Sequence, residues 1–208
     1  IDNPGTYVYH VPGAPYCPED QANVMVIENP AVDAGNDGAH IACSSDPVFT
    51  MFQYLGGSPD QGGQWYDPDL TGHGQDFNPA VDEGGAWTYV VFGLGACEND
   101  TALVDIDLTQ APNAGTALDL EVCSTEQTVD LFDGLTNDHD TGGYWVDLDG
   151  TSALSDSLFD ATIPGEGVYA FLYVVPGSGP CPNDSTELAV TVSDGVDVGI
   201  GGNDTVCG

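Results

Sequence analysis

The sequence predicts an all-β chain built as tandem antiparallel β-sandwich repeats of about 80 residues. The first observation is internal repetition. Cys43 is followed 22 residues later by Trp65 in Gly62-Gly63-Gln64-Trp65, and Cys123 is followed 22 residues later by Trp145 in Gly142-Gly143-Tyr144-Trp145. Phe77-Asn-Pro-Ala80 matches Phe159-Asp-Ala-Thr162, and Trp87-Thr-Tyr-Val-Val matches Tyr169-Ala-Phe-Leu-Tyr-Val-Val. Subtraction gives the period: 123 − 43 and 97 − 17 are both 80, and 207 − 123 and 181 − 97 are both 84. The second observation is patterning, with short alternating apolar runs at about 10-residue spacing, Gly, Pro and Asp between them, and no helical period. The third is a single Trp in the third strand of each repeat, which fits the core position of an immunoglobulin-like sandwich. Trp65 and Trp145 are therefore expected to be packed rather than to stack on a ligand.

Taken in order, residues 1–28 match the C-terminal strands of a preceding repeat. Gly5–Val11 alternates as a strand, Pro12-Gly13-Ala14-Pro15 turns, and Cys17-Pro18-Glu19-Asp20 leads into a second strand over Asn23–Ile27. A lone hairpin is marginal in water, so its partner is expected in a neighbouring repeat or an identical chain. The first full repeat spans 29–109, with strands over Ala39–Cys43, Val48–Tyr54, Gly63–Tyr66, near Phe77, Trp87–Phe92 and Ala102–Leu108. The second spans 110–193, with strands over Leu118–Cys123, Thr128–Phe132, Tyr144–Asp147, near Phe159, Val168–Val175 and Glu187–Val192. Residues 194–208 read as the start of a following repeat. The junctions (Asn29–Gly35, Gln110–Gly115 and Ser193–Gly199) are short, and two contain Pro, which limits bending.

Charge excludes whole classes of function. The 208 residues hold 34 Asp plus Glu and no Lys or Arg, a formal charge of −34. Ordinary usage would give roughly two dozen basic residues. Phosphate, nucleic acid and anionic lipid are held mainly by Lys and Arg, so nucleotide chemistry, nucleic-acid partners and membrane-surface binding are excluded. No apolar run is long enough to cross a membrane as a helix. The same composition removes trypsin-type cleavage sites and any lysine for a Lys–Asn cross-link, and it keeps a long extracellular protein solvated.

Six cysteines at regular places, with no zinc-type spacing, indicate an oxidising, extracytoplasmic compartment. One pairing joins Cys43 to Cys97 and Cys123 to Cys181, leaving Cys17 and Cys207 to partners elsewhere. Its loops of about 55 residues would each add around 3 to 4 kcal/mol by chain entropy. The other joins Cys17 to Cys43, Cys97 to Cys123 and Cys181 to Cys207, stapling the junctions. The expectation is the within-repeat pairing, although spacing does not settle connectivity.

The pattern Cys-Ser-(Ser/Thr), Gly-Gly-x-Trp, Phe-(Asn/Asp), Tyr and Cys-x-(Asn/Asp)-Asp resembles the tandem immunoglobulin-like repeats of large Bacteroidetes cell-surface adhesins, including gliding-motility adhesins exported by the type IX route. The resemblance covers nearly the whole chain. It implies an extracellular stalk or fibre, whose partners are neighbouring repeats, identical chains and a surface or glycan ligand. Members of that phylum attach O-glycans at Asp-(Ser/Thr)-(small or apolar). The resemblance thus implies glycosylation at Thr101, Ser157, Ser185 and Thr205, while Asp20-Gln21-Ala22 departs from the motif. Asn99, Asn183 and Asn203 also sit in Asn-x-Ser/Thr.

Two further chemistries were open to the residues. Asp67, Asp69 and Asp76 follow the first Trp, Asp147 and Asp149 follow the second, and Asn137, Asp138 and Asp140 precede it, a density of oxygen donors that suits weak Ca²⁺ binding. None meets the EF-hand pattern. No cofactor is required. Catalysis is not expected: His10, His40, His73 and His139 lie at unrelated places in the repeat, and no Gly-x-Ser-x-Gly or P-loop occurs. The leading reading is a structural segment of a surface fibre or adhesin stalk. The alternatives are a Ca²⁺-dependent carbohydrate or ligand-binding module, accessory domains of a secreted hydrolase, and subunits of a strand-complemented filament.

Overall fold

A computed structural model describes residues 3–195, and they fold as β-strands with two short 3₁₀ turns. The chain divides into two compact units. One is Ile1–Ile41 with Pro47–Leu108, and the other is Ala42–Asp46 with Thr109–Gly208.

In the first unit, β1 (Gly5–Val11) and β2 (Asp20–Val26) form an antiparallel hairpin in register from Gly5↔Val26 to Val11↔Asp20. All of β1 and all but the last residue of β2 are exposed. Then follow β3 (Gly38–Cys43), β4 (Phe49–Thr50), β5 (Gln64–Tyr66), β6 (Gly72–His73), β7 (Asp76–Phe77), β8 (Gly85–Val91) and β9 (Asp100–Thr109), of which Ala42, Cys43 and Thr109 fall in the second unit. They make one sheet in the order β3-β9-β8-β5-β6 and a small facing one, β4-β7. The second unit repeats the plan with β10 (Leu120–Cys123), β11 (Val129–Asp130), β12 (Tyr144–Asp147), β13 (Leu154–Ser155), β14 (Leu158–Phe159), β15 (Gly167–Val175) and β16 (Asp184–Ser193). Its sheets run β10-β16-β15-β12 and β11-β14-β13. This is the immunoglobulin-like sandwich class that the repeat pattern predicts, with seven strands per repeat where six were expected, the additional ones being β6 and β13.

Alternation builds the core. Along β9, Ala102, Val104 and Ile106 are buried while Thr101, Leu103, Asp105 and Asp107 face water. Along β16, Leu188, Val190 and Val192 take the same inward places. Each buried side chain of this size contributes about 1.5 to 3 kcal/mol. Trp65 and Trp145 lie in these cores, tilted against Tyr89 and Tyr173 at centroid distances of 4.9 and 5.1 Å.

Three details differ from the sequence expectation. The pairing of β10 with β16 is parallel, from Leu120↔Val190 to Cys123↔Ser193, so the first and last strands of the repeat run the same way. The strands expected over Val48–Tyr54 and Thr128–Phe132 each stop after two residues and become a 3₁₀ turn, Met51–Tyr54 or Leu131–Gly134. The turn drives Met51 or Leu131 fully into the core and sets Phe52 or Phe132 edge-on to the repeat's tyrosine. Finally, β6 pairs with β5 whereas β13, at the matching place, pairs with β14. Gln64 Nε2 donates to the His73 carbonyl at 2.9 Å and holds the first arrangement, while Leu154 packs against the core in the second.

Candidate functional site: the repeat junction and its cross-link

The junction segments are held by carboxylates that accept from backbone amides. Ala34 N donates to Asp100 at 2.7 Å and Ala114 N to Asp184 at 2.8 Å, and both alanines are fully buried. Asp33 N donates to the Asp60 carboxylate at 3.0 Å while Asp60 N returns a bond to the Asp33 carbonyl at 2.7 Å. Asn113 and Asp140 repeat that exchange at 2.9 and 2.7 Å. Gly35 and Gly115, at φ of +87° and +77°, turn the chain out of the junction. In a chain with no lysine or arginine, these amide dipoles are the charge partners the carboxylates find.

A second repeated network explains the Gly-Gly-x-Trp motif. Gly63 N donates to Tyr89 Oη at 2.9 Å, and that hydroxyl donates to the Asp60 carbonyl at 2.7 Å. Gly143, Tyr173 and Asp140 do the same at 3.1 and 2.9 Å. A Cβ on Gly63 or Gly143 would lie 2.6 Å from the tyrosine ring, so glycine alone fits. Buried tyrosine hydroxyls thus lock the Trp strand to the clamp that fixes the junction.

The cross-link joins Cys43 to Cys181 across 138 residues, with Cα atoms 5.0 Å apart, within the range a disulfide spans. Cys43 ends β3 and is fully buried; its amide donates to Asp46 at 2.8 Å. Ser44 N donates to the Thr109 carbonyl at 2.9 Å, and Ser44 Oγ accepts from Ala111 N at 2.8 Å. Cys181 sits in the β15–β16 hairpin, its Sγ 3.4 Å from the Thr109 carbonyl oxygen. All of these residues belong to the second compact unit, to which the first repeat contributes Ala42–Asp46.

Both pairings expected from the sequence are therefore corrected. Cys43 bonds neither Cys97 nor Cys17, and Cys181 bonds neither Cys123 nor Cys207. The reason is strand geometry. Ser44 meets Thr109 at the far end of β9, whereas Cys97 precedes the near end at Asp100. Ten residues of strand separate them by about 30 Å, far beyond disulfide reach. Cys123 and Cys181 stand in the same relation to β16, with Cys123 beside Ser193 and Cys181 before Asp184. Cys17, Cys97 and Cys123 are free thiols, and Cys207 lies outside the described residues.

The acidic loops proposed for Ca²⁺ do not converge. Among the described residues no group of three His, Cys, Asp or Glu side chains is placed to hold a metal ion. Asp67 accepts from Thr71 N at 2.7 Å, Asp149 from Ala170 N at 2.7 Å, and Asp140 is a junction clamp. Asp69 and Asp76 are exposed. Burial alone would raise the Asp147 carboxyl, but bonds from the Thr151 hydroxyl and the Gly150, Thr151 and Asp149 amides outweigh it and hold it below the ordinary carboxylate value. Asp138 is also lowered, first by the Thr136 side chain and then by its own amide. An open groove beside Trp65 is lined by Gln53, Gln61, Gln64 and Gln75, and its lining contains no carboxylate.

The O-glycan candidates are strand and turn residues. Thr101 and Ser185 are exposed second residues of β9 and β16, and Ser157 lies half-buried in the two-residue β13–β14 turn. Thr205 and Asn203 lie outside the described residues. Asp100 and Asp184, which complete two of these motifs, already serve as junction clamps. Asn99 and Asn183 accept from Gly93 N and Gly177 N, each at 3.0 Å, and shape the cysteine hairpins. The clamps escaped the sequence reading because Asp is common everywhere in this chain; their recurrence at the repeat period was the available signal.

The fold is that of tandem immunoglobulin-like β-sandwich repeats with a recurring junction. No family model matches the chain, and no curated protein matches it at a significant level. Among solved structures it is similar to a three-domain stretch of titin, I67–I69 in an E-to-A variant, at 14% identity and TM-score 0.48, covering 91% of this chain and 75% of that one. It is also similar to mouse clustered protocadherin PcdhgC3 EC1–3, at 14% identity and TM-score 0.35 over 91% and 77% of the two chains. Drosophila N-cadherin EC1–4 aligns at 10% identity and TM-score 0.30 over 93% and 60%. At these values the three carry no inference about ligand, partner or calcium.

Proposed function

We propose that the chain is a load-bearing segment of an extracellular fibre or adhesin stalk, of the kind found on Bacteroidetes surfaces and exported by the type IX route. Its repeats are taken as residues 29–109 and 110–193. The observation that carries the reading is the Cys43–Cys181 bond, which links successive sequence repeats rather than closing one of them. A disulfide persists in oxidising compartments, which supports a place outside the cytoplasm. Cross-linking from repeat to repeat resists extension of the chain it spans. The carboxylate surface, with Thr101, Ser157 and Ser185 as glycan acceptors, keeps such a fibre solvated and apart from its neighbours.

The test is localisation with assembly state. An antibody raised against the chain should label intact, unpermeabilised cells along filaments, and sheared material should carry the antigen at high molecular mass. Labelling confined to permeabilised cells would overturn the proposal. Mass spectrometry of the same material reads glycan on peptides containing Thr101 and Ser185.

A further inference from the structure

We infer that Cys97 and Cys123 form the same cross-link as Cys43–Cys181 with further repeats of this type, so that the disulfides make a continuous ladder. Cys97 takes the hairpin role and bonds the first-strand cysteine of another repeat; Cys123 takes the first-strand role and bonds a hairpin cysteine. The inference rests on the chain being one stretch of a longer array, as proposed above.

The two repeats supply the comparison. In the first unit the Cys97 thiol donates to the Asn29 carbonyl at 3.4 Å, and in the second the Cys181 sulfur stands 3.4 Å from the Thr109 carbonyl, 80 positions on. The amides match as well, Cys97 N to the Leu94 carbonyl at 3.2 Å and Cys181 N to the Ser178 carbonyl at 3.1 Å. The hairpin that presents Cys181 to its bonded partner is thus built again around Cys97. On the other side, Ser44 N donates to Thr109 and Ser124 N to Ser193, both at 2.9 Å, and the amides of Asp46 and Glu126 return to Cys43 and Cys123 at 2.9 and 3.0 Å. Cys123 therefore ends its strand as Cys43 does. Exposure follows bonding: Cys43 and Cys181 are buried, Cys97 is half-exposed and Cys123 exposed.

Neither free cysteine reaches the other cysteine of its own repeat, because a full strand lies between them. Among the described residues the cysteines fall into two kinds, strand-end (Cys43, Cys123) and hairpin (Cys17, Cys97, Cys181), and the observed link joins one of each. Formation is an oxidation: two thiols lose two electrons and two protons to a disulfide oxidant, protein or small molecule, which leaves as two thiols.

The experiment is disulfide mapping of material collected from the producing cells, alkylated under denaturing conditions and cut with glutamyl endopeptidase and pepsin, since trypsin has no site. The expected result is Cys97 joined to a cysteine followed by Ser, and Cys123 joined to a cysteine of the Cys-x-(Asn/Asp)-Asp kind, each roughly 140 residues away when the link is within one polypeptide. A partner from a second copy shows instead as a mass increase on non-reducing denaturing gels that reductant removes. Alkylated Cys97 or Cys123, or a link between two hairpin cysteines, overturns the ladder. That outcome leaves surface labelling unaffected, so the two proposals fail separately.

Discussion

Pulling the chain from its ends with and without reductant measures the cross-link directly. The disulfide holds 138 steps of the chain out of reach, and subtracting them from 208 leaves 70 that can extend. At about 3.4 Å per residue the oxidised chain should lengthen to about 240 Å and the reduced chain, or Cys43→Ser, to about 700 Å. Links from Cys43 to Cys97 and Cys123 to Cys181 would leave 208 − 54 − 58, or 96, free steps and about 330 Å. Optical-trap extension distinguishes the three lengths easily. A limit near 330 Å, or one near 700 Å whatever the redox state, refutes the geometry that sets Cys97 and Cys43 at opposite ends of β9. Chain entropy for a loop this long gives about 5 kcal/mol, so urea unfolding of the spanned region should shift by a similar amount on reduction.

Other perturbations read the repeated networks. Tyr173→Phe removes the hydroxyl that joins the Gly143 amide to the Asp140 carbonyl and should cost about 1 to 3 kcal/mol by chemical denaturation, with Tyr89→Phe matching it in the first unit. Gly143→Ala places a Cβ 2.4 Å from the Val174 carbonyl oxygen and 2.6 Å from the Tyr173 ring, so a loss above about 3 kcal/mol is expected. Asp147 has a depressed folded value, so its stabilisation is present above the unfolded carboxylate value and fades as pH falls through the folded one. Wild type should therefore exceed Asp147→Asn in stability at neutral pH, and the gap should close on acidification; a gap independent of pH would refute this. Because the Asp-rich loops do not converge, millimolar Ca²⁺ at fixed ionic strength should leave the melting temperature within about a degree of its value in chelator, and a saturable rise of several degrees would show otherwise.

The amino-acid sequence determined the repeat, its period and most strands, because alternation and turn residues are local signals read within ten residues. It also placed Trp65 and Trp145 in the core, since a Trp in the third strand of an immunoglobulin-like sandwich packs between the sheets. What it did not hold was the identity of contacts between distant segments. Two cysteines in one repeat looked like natural partners until the length of β9 put them at opposite ends, and only the folded junction set Cys43 beside Cys181. The same is true of the carboxylates: nothing local separates Asp140, which clamps a backbone amide, from Asp69, which faces water. Spacing along a chain fixes what each strand is, but pairing depends on three-dimensional distance, which tertiary structure alone decides.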